Sequence, residues 1–168
     1  MIDKIQVILY SGNTFTFKND ALKTASPTRY LKAQTSQVPN EEGMYTVFSS
    51  KVLNPNEKHL QFNIKGQSLE LVYFGKAGGF NSKGGIIKQG LHGRINNVVS
   101  DSSRRHKDMA RAKYWKFIMD ELDIPVFHVF YLPMKNAKAH EDTIYQYLNV
   151  NQLTYPILNK QLGRSKKN

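Results

Sequence analysis

The sequence predicts a compact α/β (α+β) domain in which a small central sheet, mixed or antiparallel, is flanked by helices. Three observations carry this expectation. Leu60, Phe62 and Ile64 alternate with Gln61, Asn63 and Lys65, the period of a half-buried strand. Leu69 to Phe74 is a near-continuous apolar run, as in a central strand covered on both faces. Met109, Ala112, Trp115, Met119 and Leu122 recur at helical spacing.

The elements follow in order. Ile5 to Tyr10, bounded by Ser11-Gly12-Asn13, reads as a strand and a turn. Asp20 to Glu42 is polar, broken by Pro27 and Pro39, and reads as an arm or irregular linker. A strand begins at Gly43 and carries Tyr45, Val47 and Phe48; Asn54-Pro55-Asn56-Glu57 is a turn. Gly75 to Gly90, rich in Gly and Lys, is a loop. A helix runs from Leu91 to about Val99, and Ser102 or Ser103 caps the next one. Ile124 to Leu132 is β-rich, and Ala139 to Leu148 is a short helix. Strands, then helices, then a strand and a helix make one layered domain. Its expected parts are an N-terminal strand and arm (1–42) for recognition or dimer contacts, a core (43–162) and a basic tail (163–168) with Arg164, Lys166 and Lys167.

Composition narrows the function. The 168 residues fit one domain, and an apolar fraction of 40% is enough for a core. The absence of cysteine excludes disulfides, zinc ribbons and thiol nucleophiles. No run of about 18 apolar residues is present, so no membrane span is expected. Met1 to Lys4 does not open a signal peptide, and a cytoplasmic protein is the simplest expectation. Lys and Arg number 24 against 13 acidic residues, a net charge of +11. Such a chain favours polyanions, because neutralised phosphates release condensed counterions. The Gly/Lys loop lacks the Gly-Lys-Ser/Thr of a P-loop, so no nucleotide cofactor is expected.

Several residues suit phosphodiester chemistry. Gly43-Met44-Tyr45 opens one strand and Tyr73-Phe74-Gly75 closes another. Arg94 stands early in a helix after a glycine, Glu141 near the start of another, and Asn159 in Pro156-Ile157-Leu158-Asn159. Arg offers a planar fork of donors that matches phosphate oxygens. A carboxylate suits Mg²⁺, which takes hard oxygen ligands and retains waters. Tyrosine, with an ordinary pKa of about 10, becomes a base only where a nearby cation or metal-bound water favours the phenolate. Each residue also has an ordinary reading: sheet tyrosines that pack, a solvated Arg, a Glu favoured by the helix dipole, an Asn that caps a turn. Asp142, beside Glu141, is the rival carboxylate for any cation held there.

Together these residues resemble the GIY-YIG nuclease family, over roughly Gly43 to Gln161. The two tripeptides stand for the halves of its signature, and Arg, Glu and Asn follow in the family's order. The separation of the tripeptides, with its added strand, and the long Gly/Lys loop look most like the family's small type II restriction endonucleases. The resemblance implies a metal-dependent, site-specific endonuclease of double-stranded DNA, leaving 5′-phosphate and 3′-hydroxyl ends. Tyr73, or Tyr45 with Tyr73, would activate water, assisted by Lys83. Arg94 would stabilise the phosphorane and Glu141 would hold Mg²⁺, with Mn²⁺ as a substitute. Asn159 would contact the phosphate or hold the geometry from behind. A palindromic target implies a homodimer.

Lys76, Lys88, His92, Arg104 and Arg105 are the expected DNA contacts. The five histidines show no metal-ligand spacing. Two alternatives accompany this reading: a homing or repair-type enzyme of the same family, and a basic nucleic-acid-binding module without catalysis.

Overall fold

The computed structural model describes residues 2–10, 12–20, 33–53, 58–80, 83–99, 119–120, 122–157 and 159. Its elements are α1 (Ile2–Tyr10), β1 (Asn13–Lys18), β2 (Gly43–Ser49), β3 (Gln61–Ile64), β4 (Gln67–Ala77), α2 (Leu91–Val99), β5 (Val126–Pro133) and α3 (Ala137–Val150). The five strands form one sheet in the order β1-β5-β2-β4-β3, and every neighbouring pair is antiparallel. The α/β class and the antiparallel form of the sheet therefore hold. No helix among the described residues is long and apolar enough to cross a membrane.

Each face of the sheet carries its own apolar layer. On one, Ile5, Ile8 and Leu9 of α1 and Ile144 and Leu148 of α3 pack on Met44, Phe48, Leu71, Phe74 and Phe130. On the other, Leu91 and Ile95 of α2 pack with Tyr45, Val47, Val72, Tyr73, Val129 and Tyr131. Central strands covered on both sides explain why β2 is buried at every position. The alternation expected around residues 60–64 is present in β3, where Phe62 and Ile64 are buried and Gln61 and Asn63 exposed.

One element differs from expectation. Ile5–Tyr10 is the body of helix α1, and the strand comes later, at Asn13–Lys18. The buried residues Ile5, Ile8 and Leu9 stand at i, i+3 and i+4, while Val7 is left exposed. The short apolar run before a turn suggested a strand, but the helical stripe matches the sheet surface, and that packing decides. Thr46 Oγ1 donates to the Leu9 carbonyl and ties the end of α1 to β2. Because β1 pairs with β5 over six residues, the N-terminal segment is built into the same sheet as the core. The expected turn at 54–57, residues 21–32 of the arm, the helix positions Met109, Ala112 and Trp115 with its cap, and the basic tail lie outside the described residues.

A β-bulge sets the site. In the β2–β4 register Val47 faces Tyr73 and Phe48 faces Leu71, so Val72 is the extra residue. Before it, Leu69 and Leu71 point to the α1/α3 layer; after it, Phe74 does. Val72 and Tyr73 both point to the α2 layer. Without the inserted residue, strict alternation would send Tyr73 to the opposite face from Tyr45.

Candidate active site

β3 pairs with β4 only as far as Glu70, with one further bond from the Leu71 amide to the Leu60 carbonyl. Beyond that point the outer edge of β4 is open to other partners. Along it lies a cleft of about 180 Å³ whose lining includes Tyr73, Gly75, Lys76, Gln89, Arg94 and Glu141. Arg94 reaches it from α2 on one face of the sheet, and Glu141 from α3 on the other. The two helices meet around the strand edge.

The tyrosines sit side by side. Their hydroxyls are 3.4 Å apart and their ring centroids 5.6 Å apart. Arg94 donates a hydrogen bond to the Tyr45 hydroxyl. Burial pulls the Arg94 pKa down, but Tyr45, Tyr73 and Glu141 outweigh it and hold the guanidinium above its ordinary value. Its Nε is buried and has no hydrogen-bond partner. An orphaned donor of this kind is costly unless a ligand oxygen answers it.

Glu141 is the acidic residue of the cleft. Burial raises its pKa, and the opposing pull of Lys138, Lys76 and Arg94 does not cancel the effect. Asp142 is a different case: Lys138 Nζ lies 2.5 Å from its carboxylate and 4.0 Å from that of Glu141. Glu141 is the less exposed of the two neighbours and the one that lines the cleft. Among the described residues there is no group of three or more His, Asp or Glu that could hold a metal. A single partly desolvated carboxylate beside open space fits a hard cation that completes its shell with water and substrate phosphate.

Asn159 works from behind the strand. Its Oδ1 accepts from the Phe74 amide at 3.0 Å, and its Nδ2 donates to the Phe74 carbonyl at 2.9 Å. The same Nδ2 is 3.3 Å from the Tyr145 hydroxyl. The side-chain amide thereby takes the place of a neighbouring strand at the edge that β3 leaves uncovered. Asn159 is buried and fixes the backbone between Tyr73 and Gly75.

The segment before β2 braces both helices. The amides of Gly90, Leu91 and His92 bond to the Asn40 side chain and to the carbonyls of Glu41 and Pro39. Asn136, at the N-cap of α3, makes no side-chain cap bond. Glu42 Oε1 accepts from the Ala137 amide at 3.1 Å instead, and its carbonyl accepts from the Met134 amide. Gly78 and Gly79, both at positive φ, lie against Glu42; a Cβ on Gly79 would approach its Oε1 to 2.7 Å.

Tyr73, Arg94 and Glu141 therefore share one cleft, with Tyr45 bonded to Arg94 and Asn159 one layer back. Lys83 sits on the exposed loop, away from the cleft lining; the lysine in the lining is Lys76. Lys88 is exposed on the same loop. The His92 Nδ1–H is shared between the carbonyls of Thr35 and Val38, each at 3.1 Å, so the half-buried ring braces that turn. Arg104 and Arg105 lie outside the described residues. Sequence reasoning passed over Glu42 and Gln89. Only the position of Glu42, directly before Gly43-Met44-Tyr45, marked it.

No family model, no curated protein and no solved structure matches this chain.

Proposed function

We propose that the chain is a metal-dependent endonuclease of double-stranded DNA working on the GIY-YIG plan. The observation that carries the reading is the convergence of Tyr73, Arg94 and Glu141 on one cleft, with Tyr45 bonded to Arg94. These residues are far apart in the chain, and although Tyr45 and Tyr73 share a core layer, Arg94 and Glu141 come to the cleft from helices on opposite faces of the sheet. The net charge of +11 fits the same substrate.

A phosphate in the cleft meets the guanidinium of Arg94, which lines it and spreads the charge that builds on the phosphoryl oxygens. The tyrosine pair lines up the attacking water, and a phenolate of the pair, favoured by the Arg94 guanidinium, takes its proton, while the departing 3′ oxygen is protonated by solvent water. The new bond joins the water oxygen to phosphorus, and the bond to the 3′ oxygen breaks. The ends are then 5′-phosphate and 3′-hydroxyl. Glu141 would hold Mg²⁺, or Mn²⁺ in its place, and the chemistry supplied by the bound ion is charge stabilisation at the departing oxygen. Lys76, beside Glu141, draws the phosphate backbone in.

Site-specific cutting of the restriction type is the form we favour. A palindromic site would then call for two copies about a two-fold axis. Incubation of supercoiled plasmid with the protein and Mg²⁺ tests the reading. Defined fragments with wild type and none with Glu141→Ala are expected. A smear would replace the restriction form with a less specific nuclease. Binding without any Mg²⁺-dependent cutting would leave a non-catalytic DNA-binding module.

A further inference from the structure

Strand β4 does not stop at the cleft. Past Ala77 the chain continues as an irregular two-stranded ribbon. The Gly78 amide donates to the Gln89 carbonyl, the Ile87 amide donates to the Gly79 carbonyl, and Phe80 bridges Ile86 in antiparallel fashion. Ile87 and Gln89 line the cleft. Phe80 and Ile86 are 62% and 75% exposed, although both are large and apolar. They are paired across the ribbon, next to the reacting centre, and Lys83 and Lys88 are exposed on the same loop.

An apolar pair at the end of a lysine-bearing ribbon has no evident use in the fold, since burying it is not what holds the ribbon to the sheet. Duplex DNA offers a matching surface. A two-stranded ribbon fits the major groove, where thymine methyls and base edges give apolar contact. Phosphates on either rim pair with lysines. We propose that the ribbon carrying Phe80 and Ile86 enters a groove of duplex DNA beside the scissile phosphate, with the two side chains against the bases and the loop lysines on the backbone. The proposal rests on the nuclease reading for its substrate, and makes the strand that carries Tyr73 also the strand that seats the DNA.

Salt dependence separates base contact from phosphate contact. Binding of a short fluorescent duplex is measured in EDTA over a series of salt concentrations, with the wild type, the double variant Phe80→Ala/Ile86→Ala, and Lys88→Ala. The double variant is expected to lose roughly tenfold or more in affinity at every salt concentration, with the slope of log K against log salt unchanged. Lys88→Ala is expected to lower that slope by about 1. A second double variant, Phe80→Trp/Ile86→Leu, keeps the apolar pair and should restore binding. Wild-type affinity in the alanine double variant overturns the proposal, and so does a loss that the Trp/Leu pair fails to restore. Plasmid cleavage by the wild type reports the nuclease reading separately. A wild type that binds but does not cut sinks that reading alone; one that does not bind duplex DNA sinks both.

Discussion

The hydroxyls of Tyr45 and Tyr73 lie 3.4 Å apart although the two residues are not register partners. Tyr45 faces Gly75 across the strands, and Tyr73 faces Val47. The pair meets over Gly75 because nothing projects from that position. A Cβ there would stand 2.9 Å from the Tyr73 hydroxyl and 3.0 Å from that of Tyr45. Gly75→Ala is therefore expected to push the hydroxyls apart and to reduce single-turnover cleavage by about 100-fold, the scale of an ångström-level misplacement. Unchanged single-turnover rates would mean that the contact between the hydroxyls is not used.

Asn159 gives a different signature. Both polar groups of Phe74 on the open edge depend on its amide. Asn159→Ala leaves a buried donor and a buried acceptor unanswered, at about 1–3 kcal/mol for each group. The denaturant midpoint should fall together with activity. If Asn159 served only the substrate, cleavage would drop while the unfolding curve stayed in place, and urea titration of the variant distinguishes the two.

Legibility in the sequence followed the kind of signal each element gives. β3 alternates and α2 has a clear start after Gly90, so both were readable, and α2 has the expected bounds. α1 was not, because Ile5, Val7, Ile8 and Leu9 satisfy either period in so short a run, and contact with the sheet settles it. The candidate side chains were legible one by one from their types. Their convergence was expected only through the family resemblance, because no packing pattern marks it: it depends on the Val72 bulge and on an uncovered strand edge. Leu69 to Phe74 is apolar throughout, so the pattern carries no mark of the residue at which the strand changes face. Lys83 and Lys76 are alike in composition, and Lys76 is the one at the cleft because β4 runs on to Ala77.

Glu42 is a positioning residue for α3. Its carboxylate caps the helix that carries Glu141 one turn further on. Glu42→Ala is expected to cost about 1 kcal/mol in stability, as for other lost caps. It should also raise the Mg²⁺ concentration needed for half-maximal cleavage by about tenfold, the usual scale for a residue that holds a metal ligand in place. Glu42→Gln keeps an acceptor oxygen and should restore most of both. A Glu42→Ala protein of lower stability but unaltered Mg²⁺ dependence would reduce Glu42 to a helix cap.

Glu141 sets function against stability. Burial raises its pKa, so the folded protein disfavours the ionised carboxylate. A group shifted in this direction favours folding most below its unfolded value, near 4.5, and that contribution is lost as pH rises through the folded value. Glu141→Gln removes the charge while keeping the shape. In EDTA at neutral pH the variant should melt above the wild type, and the difference should shrink to nothing as pH falls below about 4. Addition of Mg²⁺ should raise the melting temperature of the wild type by the mass-action term for a ligand that binds only the folded state, and leave the variant unmoved. Calorimetric melts with and without the ion read both effects. A wild type indifferent to Mg²⁺, or a variant that responds equally, would remove Glu141 as the residue that holds the cation.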